Sequence, residues 1–244
     1  MFALEKIVIN GPCKLCGEVE ISGGKNAIVA ILPATIMVEG VCRIENVPNI
    51  SDVTHILDIL QYMGADIRII DKKTIEIDCT AVRNTAVPYE YARRLRASYY
   101  FMGAMLARFG GARVAMPGGC SIGLRPIDQH IKGFEAMGVD VNVKHGDVVC
   151  QSMGLNASHI YFDVVSVGAT INVMLAATKA PGLTILENVA KEPHIVDVAN
   201  FLNSMGANIS GAGTDIIKIR GVDKLCGGSY AVIPDQIEAG TFMV

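Results

Sequence analysis

No stretch of apolar residues approaches the about 18 that a membrane-spanning helix needs, because Pro33 and Glu39 interrupt the longest candidate. The opening, MFALEKIVIN, lacks a basic segment followed by a long apolar one, so no secretory signal is expected. There is no basic excess: 21 Lys and Arg stand against 24 Asp and Glu, a formal net charge of −3. That balance argues against nucleic acid as a partner, since a phosphate backbone is held by a clustered basic face. Low-complexity tracts are absent too. With 51% hydrophobic and 18% charged residues, a chain of 244 can bury a core.

A disulfide framework is also missing. Cys13, Cys16, Cys42, Cys79, Cys120, Cys150 and Cys226 are odd in number and scattered, which fits a reducing cytoplasm. Cys13 and Cys16 form a CxxC, but no second pair exists to complete a zinc site, so buried strand cysteines are the expectation. No metal and no cofactor are expected.

What is present is a repeat. ILDILQYMGADIRIIDKKTIEI, HIKGFEAMGVDVNVKHGDVVC and VANFLNSMGANISGAGTDIIKI each read as an amphipathic helix ending in Met-Gly, then an alternating strand, a polar turn and a second strand. A further helix and strand precede each: KNAIVAILPATIMVEGVCRIENV, RASYYFMGAMLARFGGARVAM and GATINVMLAATKAPGLTILENV. The fold class expected is therefore α/β (α+β): three helix-strand-helix-strand-strand units, with helices packed inside and sheets outside.

The middle copy is longer. Gly40 to Gly64 and Gly182 to Gly206 each span 24 residues, whereas Gly111 to Gly138 takes 27. The surplus falls in PGGCSIGLRP, residues 117–126, where the sister copies turn with NVPNIS and NVAKEP. A pure turn needs no enlargement, so this loop is a functional candidate by position. Lys-Leu-Cys-Gly occurs at 14–17 and again at 224–227, before another helix start, so a fourth unit is expected to begin there.

The three units begin with Gly23-Gly24-Lys25-Asn26, Arg94-Leu95-Arg96-Ala97-Ser98 and Ser166-Val167-Gly168-Ala169-Thr170. Backbone N–H groups at helix starts, with a lysine, arginines and small hydroxyls, suit phosphate groups. Each signal is weak alone, since a Gly-Lys at a helix start is commonly a turn with a solvated lysine, and the GxxxxGK[ST] spacing is absent.

Together, SGGKNA, RASYYFMG, PGGCSIGLRPIDQHI, SVGATINVM and ENVAKEPHIVDVANFLN resemble the UDP-N-acetylglucosamine 1-carboxyvinyltransferase family over essentially the whole chain. The resemblance implies a two-lobed transferase that moves the enolpyruvyl group of phosphoenolpyruvate to UDP-N-acetylglucosamine. Residues 22–230 would form the first lobe, while 1–21 and 231–244 would belong with a second lobe. It implies that Cys120 protonates the methylene carbon of phosphoenolpyruvate and is alkylated by fosfomycin. Lys25, Asn26 and Arg125 would hold phosphoenolpyruvate, with Arg96 at the shared site. Arg125, Pro126, Ile127, Asp128, Gln129, Val165, Ser166, Val167 and Gly168 would line the UDP-sugar site. An aspartate and further arginines needed for turnover would lie beyond Val244.

Two departures stand out: Val164 where many members have lysine, and Tyr100 where some have tryptophan. The related shikimate-type transferases fit less well, given the cysteine loop and the lack of a Lys-Ser helix start. A non-catalytic nucleotide-sugar-binding lobe is the alternative for the chain alone.

Overall fold

The computed structural model describes residues 6, 8–12, 14, 16–116 and 127–244. The first unit comprises α1 (Lys25–Ala34), β1 (Glu39–Glu45), α2 (Ser51–Met63), β2 (Asp66–Ile69) and β3 (Ile75–Asp78). After β4 (Ala86–Val87) and the short α3 (Tyr89–Ala92), the second follows. It holds α4 (Tyr100–Phe109), β5 (Gly111–Ala115), α5 (Asp128–Ala136), β6 (Asp140–Lys144) and β7 (Asp147–Gln151). After β8 (His159–Tyr161), the third comprises α6 (Val167–Ala177), β9 (Leu183–Glu187), α7 (Pro193–Ser204), β10 (Asn208–Ser210) and β11 (Ile216–Arg220). The chain continues through β12 (Cys226–Ala231) and α8 (Gln236–Met243).

The repeat is visible in individual hydrogen bonds. Gly64, Gly138 and Gly206, which follow the three methionines, all have positive φ, at 103°, 82° and 106°. Their N–H groups donate to Gln61, Glu135 and Asn203, and the next residues, Ala65, Val139 and Ala207, reach back to Leu60, Phe134 and Leu202. This paired closure satisfies carbonyls that the helix end leaves open, and it needs a left-handed residue that glycine supplies without strain.

Each sheet contains one strand more than the unit expected from sequence. The orders are β12-β1-β3-β2, β4-β5-β7-β6 and β10-β11-β9-β8, each with a leading strand parallel to its neighbour. β4 and β8 precede the helices of their own units, but the first sheet takes β12 from the far end of the chain. The Lys-Leu-Cys-Gly at 224–227 therefore completes the first sheet instead of opening a fourth one. The slot is open because residues 16–21, which precede α1 as β4 precedes α4, form no strand and lie mostly exposed. Cys16 is accordingly exposed, contrary to the buried strand position expected; Cys13 lies outside the described residues.

The layers follow from burial. Residues 27–34 of α1, 100–107 of α4 and 169–177 of α6 are all buried, so these helices form the centre. α2, α5 and α7 bury fewer positions, as amphipathic helices do. The sheets cover the outside with alternating faces: Ile75 and Ile77, Val148 and Cys150, and Ile217 and Ile219 point inward. Among the described residues, no helix is long and apolar enough to cross a membrane.

Candidate active site

The threefold arrangement sends the helix starts toward one end of the lobe. There they surround a cavity of about 980 Å³. Lys25 and Asn26 of α1, Asp52 of α2, Ile127–His130 at the start of α5, Ser166–Gly168 at the start of α6, His194 of α7 and Gln236 of α8 all line it. Arg94, Arg96, Tyr99 and Tyr100, from the turn that feeds α4, form another wall. Helix N-termini present unpaired N–H groups and the positive end of the backbone dipole, so their convergence favours an anionic ligand.

Lys25 is held by its neighbours. Its Nζ lies 2.9 Å from Asp52 Oδ2, and its backbone N–H donates to Asp235 Oδ2 at 2.8 Å. Ser166 caps α6, its Oγ accepting from Ala169 N–H at 3.3 Å. Gln129 is only 7% exposed and ties α5 to the segment after β8. Its Oε1 accepts from Asp163 N–H at 3.0 Å, and its Nε2 donates to Asp128 Oδ2 at 3.0 Å. That amide holds the Asp128 carboxyl below the usual carboxylate range. Val165 and Val164 lie on the wall, Val164 being 63% exposed.

His130 is 4% exposed, and burial pushes its pKa down to about 4 against the weak pull of Asp128. Asn172 sets its tautomer. The Asn172 Oδ1 accepts from Gly103 N–H at 2.7 Å, which orients the amide, and Nδ2 then donates to Tyr99 O at 2.8 Å and to His130 Nδ1 at 3.0 Å. With Nδ1 accepting, the ring proton resides on Nε2. Gly168 must be glycine here: a Cβ on it would meet His130 Nε2 at 2.9 Å and Tyr99 Oη at 3.0 Å.

The structure thus brings Lys25, Asn26, Arg96, Ile127, Asp128, Gln129, Val165, Ser166, Val167 and Gly168 around one cavity. Cys120, Arg125 and Pro126 lie outside the described residues. Sequence reasoning missed Asp52, His130, Glu192 and His194 as wall residues. All four sit at or beside the starts of α2, α5 and α7, a position that aligning the three copies would have marked.

A family model described as EPSP synthase (3-phosphoshikimate 1-carboxyvinyltransferase) matches residues 9–244. The chain belongs to this family. It is 61% identical to UDP-N-acetylglucosamine 1-carboxyvinyltransferase of Clostridium botulinum, over 99% of this chain and 58% of that protein. It is 57% identical to UDP-N-acetylglucosamine 1-carboxyvinyltransferase 3 of Caldanaerobacter subterraneus subsp. tengcongensis, with the same coverage of 99% and 58%. The chain therefore spans about 58% of the length of these relatives. Among solved structures, the enolpyruvyl transferase NikO from Streptomyces tendae superposes with a TM-score of 0.81 at 25% identity, covering 96% of this chain and 55% of NikO. EPSP synthase from Acinetobacter baumannii gives 0.73 at 18% identity, over 93% and 52%, a likeness of fold alone.

Proposed function

We propose that the chain forms the first lobe of a UDP-N-acetylglucosamine 1-carboxyvinyltransferase, with residues 22–230 as the lobe proper. The full-length protein would transfer the enolpyruvyl group of phosphoenolpyruvate to the 3-hydroxyl of UDP-N-acetylglucosamine and release phosphate, the first committed step of peptidoglycan synthesis. The observation that carries this reading is the convergence of helix starts with Lys25, Arg94 and Arg96 on one cavity. The two substrates bring a phosphate, a carboxylate and a diphosphate, which such a site would neutralise. The names of the relatives at 61% and 57% identity favour the nucleotide sugar over shikimate 3-phosphate as acceptor.

In this reading Lys25, Asn26 and Arg125 hold phosphoenolpyruvate, and Arg96 serves the shared site. Arg125 through Gln129 and Val165 through Gly168 hold the UDP-sugar. The 3-hydroxyl of the sugar gives its proton to a carboxylate base of the full-length protein as its oxygen adds to C2 of phosphoenolpyruvate, while the Cys120 thiol gives its own proton to C3 and becomes a thiolate. Loss of a proton from the new methyl group and departure of phosphate then restore the double bond. The role of Cys120, and its alkylation by fosfomycin, rest on the family resemblance. A cytoplasmic location accords with the free thiols of Cys42, Cys79 and Cys150.

The test is phosphate release by the full-length protein from phosphoenolpyruvate, with UDP-N-acetylglucosamine or shikimate 3-phosphate as acceptor. Release with the nucleotide sugar is expected; release with shikimate 3-phosphate alone would overturn the reading.

A further inference from the structure

α1 starts without a cap of its own. Its N-cap residue is Gly24, its first turn holds no acidic residue, and the N-cap makes no side-chain bond to it. The missing acceptor comes from 210 residues away, where Asp235 Oδ2 takes the Lys25 N–H at 2.8 Å. The other oxygen of the same carboxylate, Oδ1, accepts from Ile237 N–H at 2.8 Å and Glu238 N–H at 3.0 Å, capping α8. One side chain caps two helices.

The backbone around this carboxylate is tied down on both sides. Gly24 N–H donates to Ile233 O at 2.7 Å, and Asp235 N–H donates to Ser22 O at 2.8 Å. Ser22 N–H in turn donates to Glu238 Oε2 at 2.8 Å. Burial works against the charge on Asp235, but the donors on Glu238, Lys25 and Ile237 outweigh it and hold the carboxyl below its usual range. An ionised carboxylate accepting backbone N–H groups is among the stronger neutral–charged contacts.

Lys25 is consequently gripped at both ends, by Asp235 at its amide and by Asp52 at its ammonium. We infer that Asp235 is a positioning residue for Lys25: by accepting the first N–H of α1 it sets where the lysine enters the cavity. The inference rests on the proposed role of Lys25 in holding phosphoenolpyruvate.

Two variants of the full-length protein separate positioning from stability. In Asp235→Asn the single amide oxygen turns to the two N–H donors of α8, and the NH₂ group faces Lys25 N–H, so only the bond to Lys25 is lost. Asp235→Ala loses both caps. Loss of a cap bond corresponds to about a five- to tenfold rise in KM for phosphoenolpyruvate in both variants, with KM for UDP-N-acetylglucosamine within about twofold of the parent. Asp235→Ala should also lower the Tm by about 2–4 °C, and Asp235→Asn by less. Hydrogen exchange at the first-turn amides of α1 should quicken in both. Unchanged KM for phosphoenolpyruvate in Asp235→Asn, or an equal rise for both substrates, would overturn the inference. A parent protein that turns over neither substrate would instead sink the functional reading. Exchange then decides: faster first-turn exchange in Asp235→Asn supports the positioning contact, and unchanged exchange overturns it.

Discussion

Gly103 N–H donates to Asn172 Oδ1 at 2.7 Å, joining α4 to α6 at a point that leaves no room for a side chain on residue 103. A Cβ on Gly103 would lie 2.3 Å from the Asn172 carbonyl oxygen and 2.6 Å from its Oδ1. Backbone, not a pliable side chain, meets the first of these contacts, so the helices must separate to admit a methyl group. Gly103→Ala should therefore destabilise the lobe by about 2–3 kcal/mol, read from urea unfolding. A loss below about 0.5 kcal/mol, the range of ordinary surface changes, would contradict this packing.

His130 makes stability depend on pH with a definite sign. Burial lowers its folded pKa from 6.5 to about 4, so the unfolded chain takes up the proton first as pH falls. The contribution is fully present above pH 6.5 and is lost as pH drops toward 4, to a total of about 3 kcal/mol. His130→Gln should flatten the pH dependence of unfolding free energy across that window. An unchanged slope would mean that the ring is charged in the folded lobe.

The cysteines should divide by reactivity. Burial pushes the thiols of Cys42 and Cys150 up to about 12 and that of Cys79 up to about 11, so none of them offers thiolate near neutrality. Fosfomycin should modify Cys120 in the full-length protein and leave these three intact, as peptide mass mapping would show. Cys120→Ser should lose about 10²–10⁴ in turnover, the usual contribution of a general acid. Cys120→Asp should lose less, because a carboxyl can still donate a proton, and should escape the inhibitor. Normal turnover by Cys120→Ser would reduce PGGCSIGLRP to a turn.

Asn46 and Asn188 are the same device in two copies. Each follows the first strand of its unit, β1 or β9, with φ of 56°, and each donates from Nδ2 to a carbonyl just past the parallel neighbour. The acceptors are Val232 O at 2.9 Å and Phe162 O at 2.8 Å. The corresponding residue of the middle copy is Met116, which has no side-chain amide to donate, and the enlarged loop begins immediately after it. Asn188→Ala should cost about 1–2 kcal/mol through lost hydrogen bonding and left-handed strain, and Asn188→Gly should cost less. Equal costs, measured by thermal unfolding, would show that the backbone conformation contributes nothing.

The repeat was legible because its signals are local. A helix that ends on Met-Gly needs only a glycine able to take positive φ, and a strand that alternates needs only its own residues to show an inner face. The helix starts around Lys25, Arg96, Gln129 and Ser166 could likewise be found one by one, since free N–H groups belong to any helix beginning. Their convergence on one cavity was a matter of how three units pack. So were the partners of Lys25, because nothing in SGGKNA indicates that Asp52 pairs with its ammonium or that Asp235 caps its amide. The same holds for the buried His130, whose tautomer depends on Asn172 from another helix. Lys-Leu-Cys-Gly at 224–227 looked like the opening of a fourth unit, yet its strand lies beside β1. A strand's residues specify which face is apolar, but its edge hydrogen bonds are the same for every neighbour. Which edge it joins is decided only when the rest of the chain has left one open.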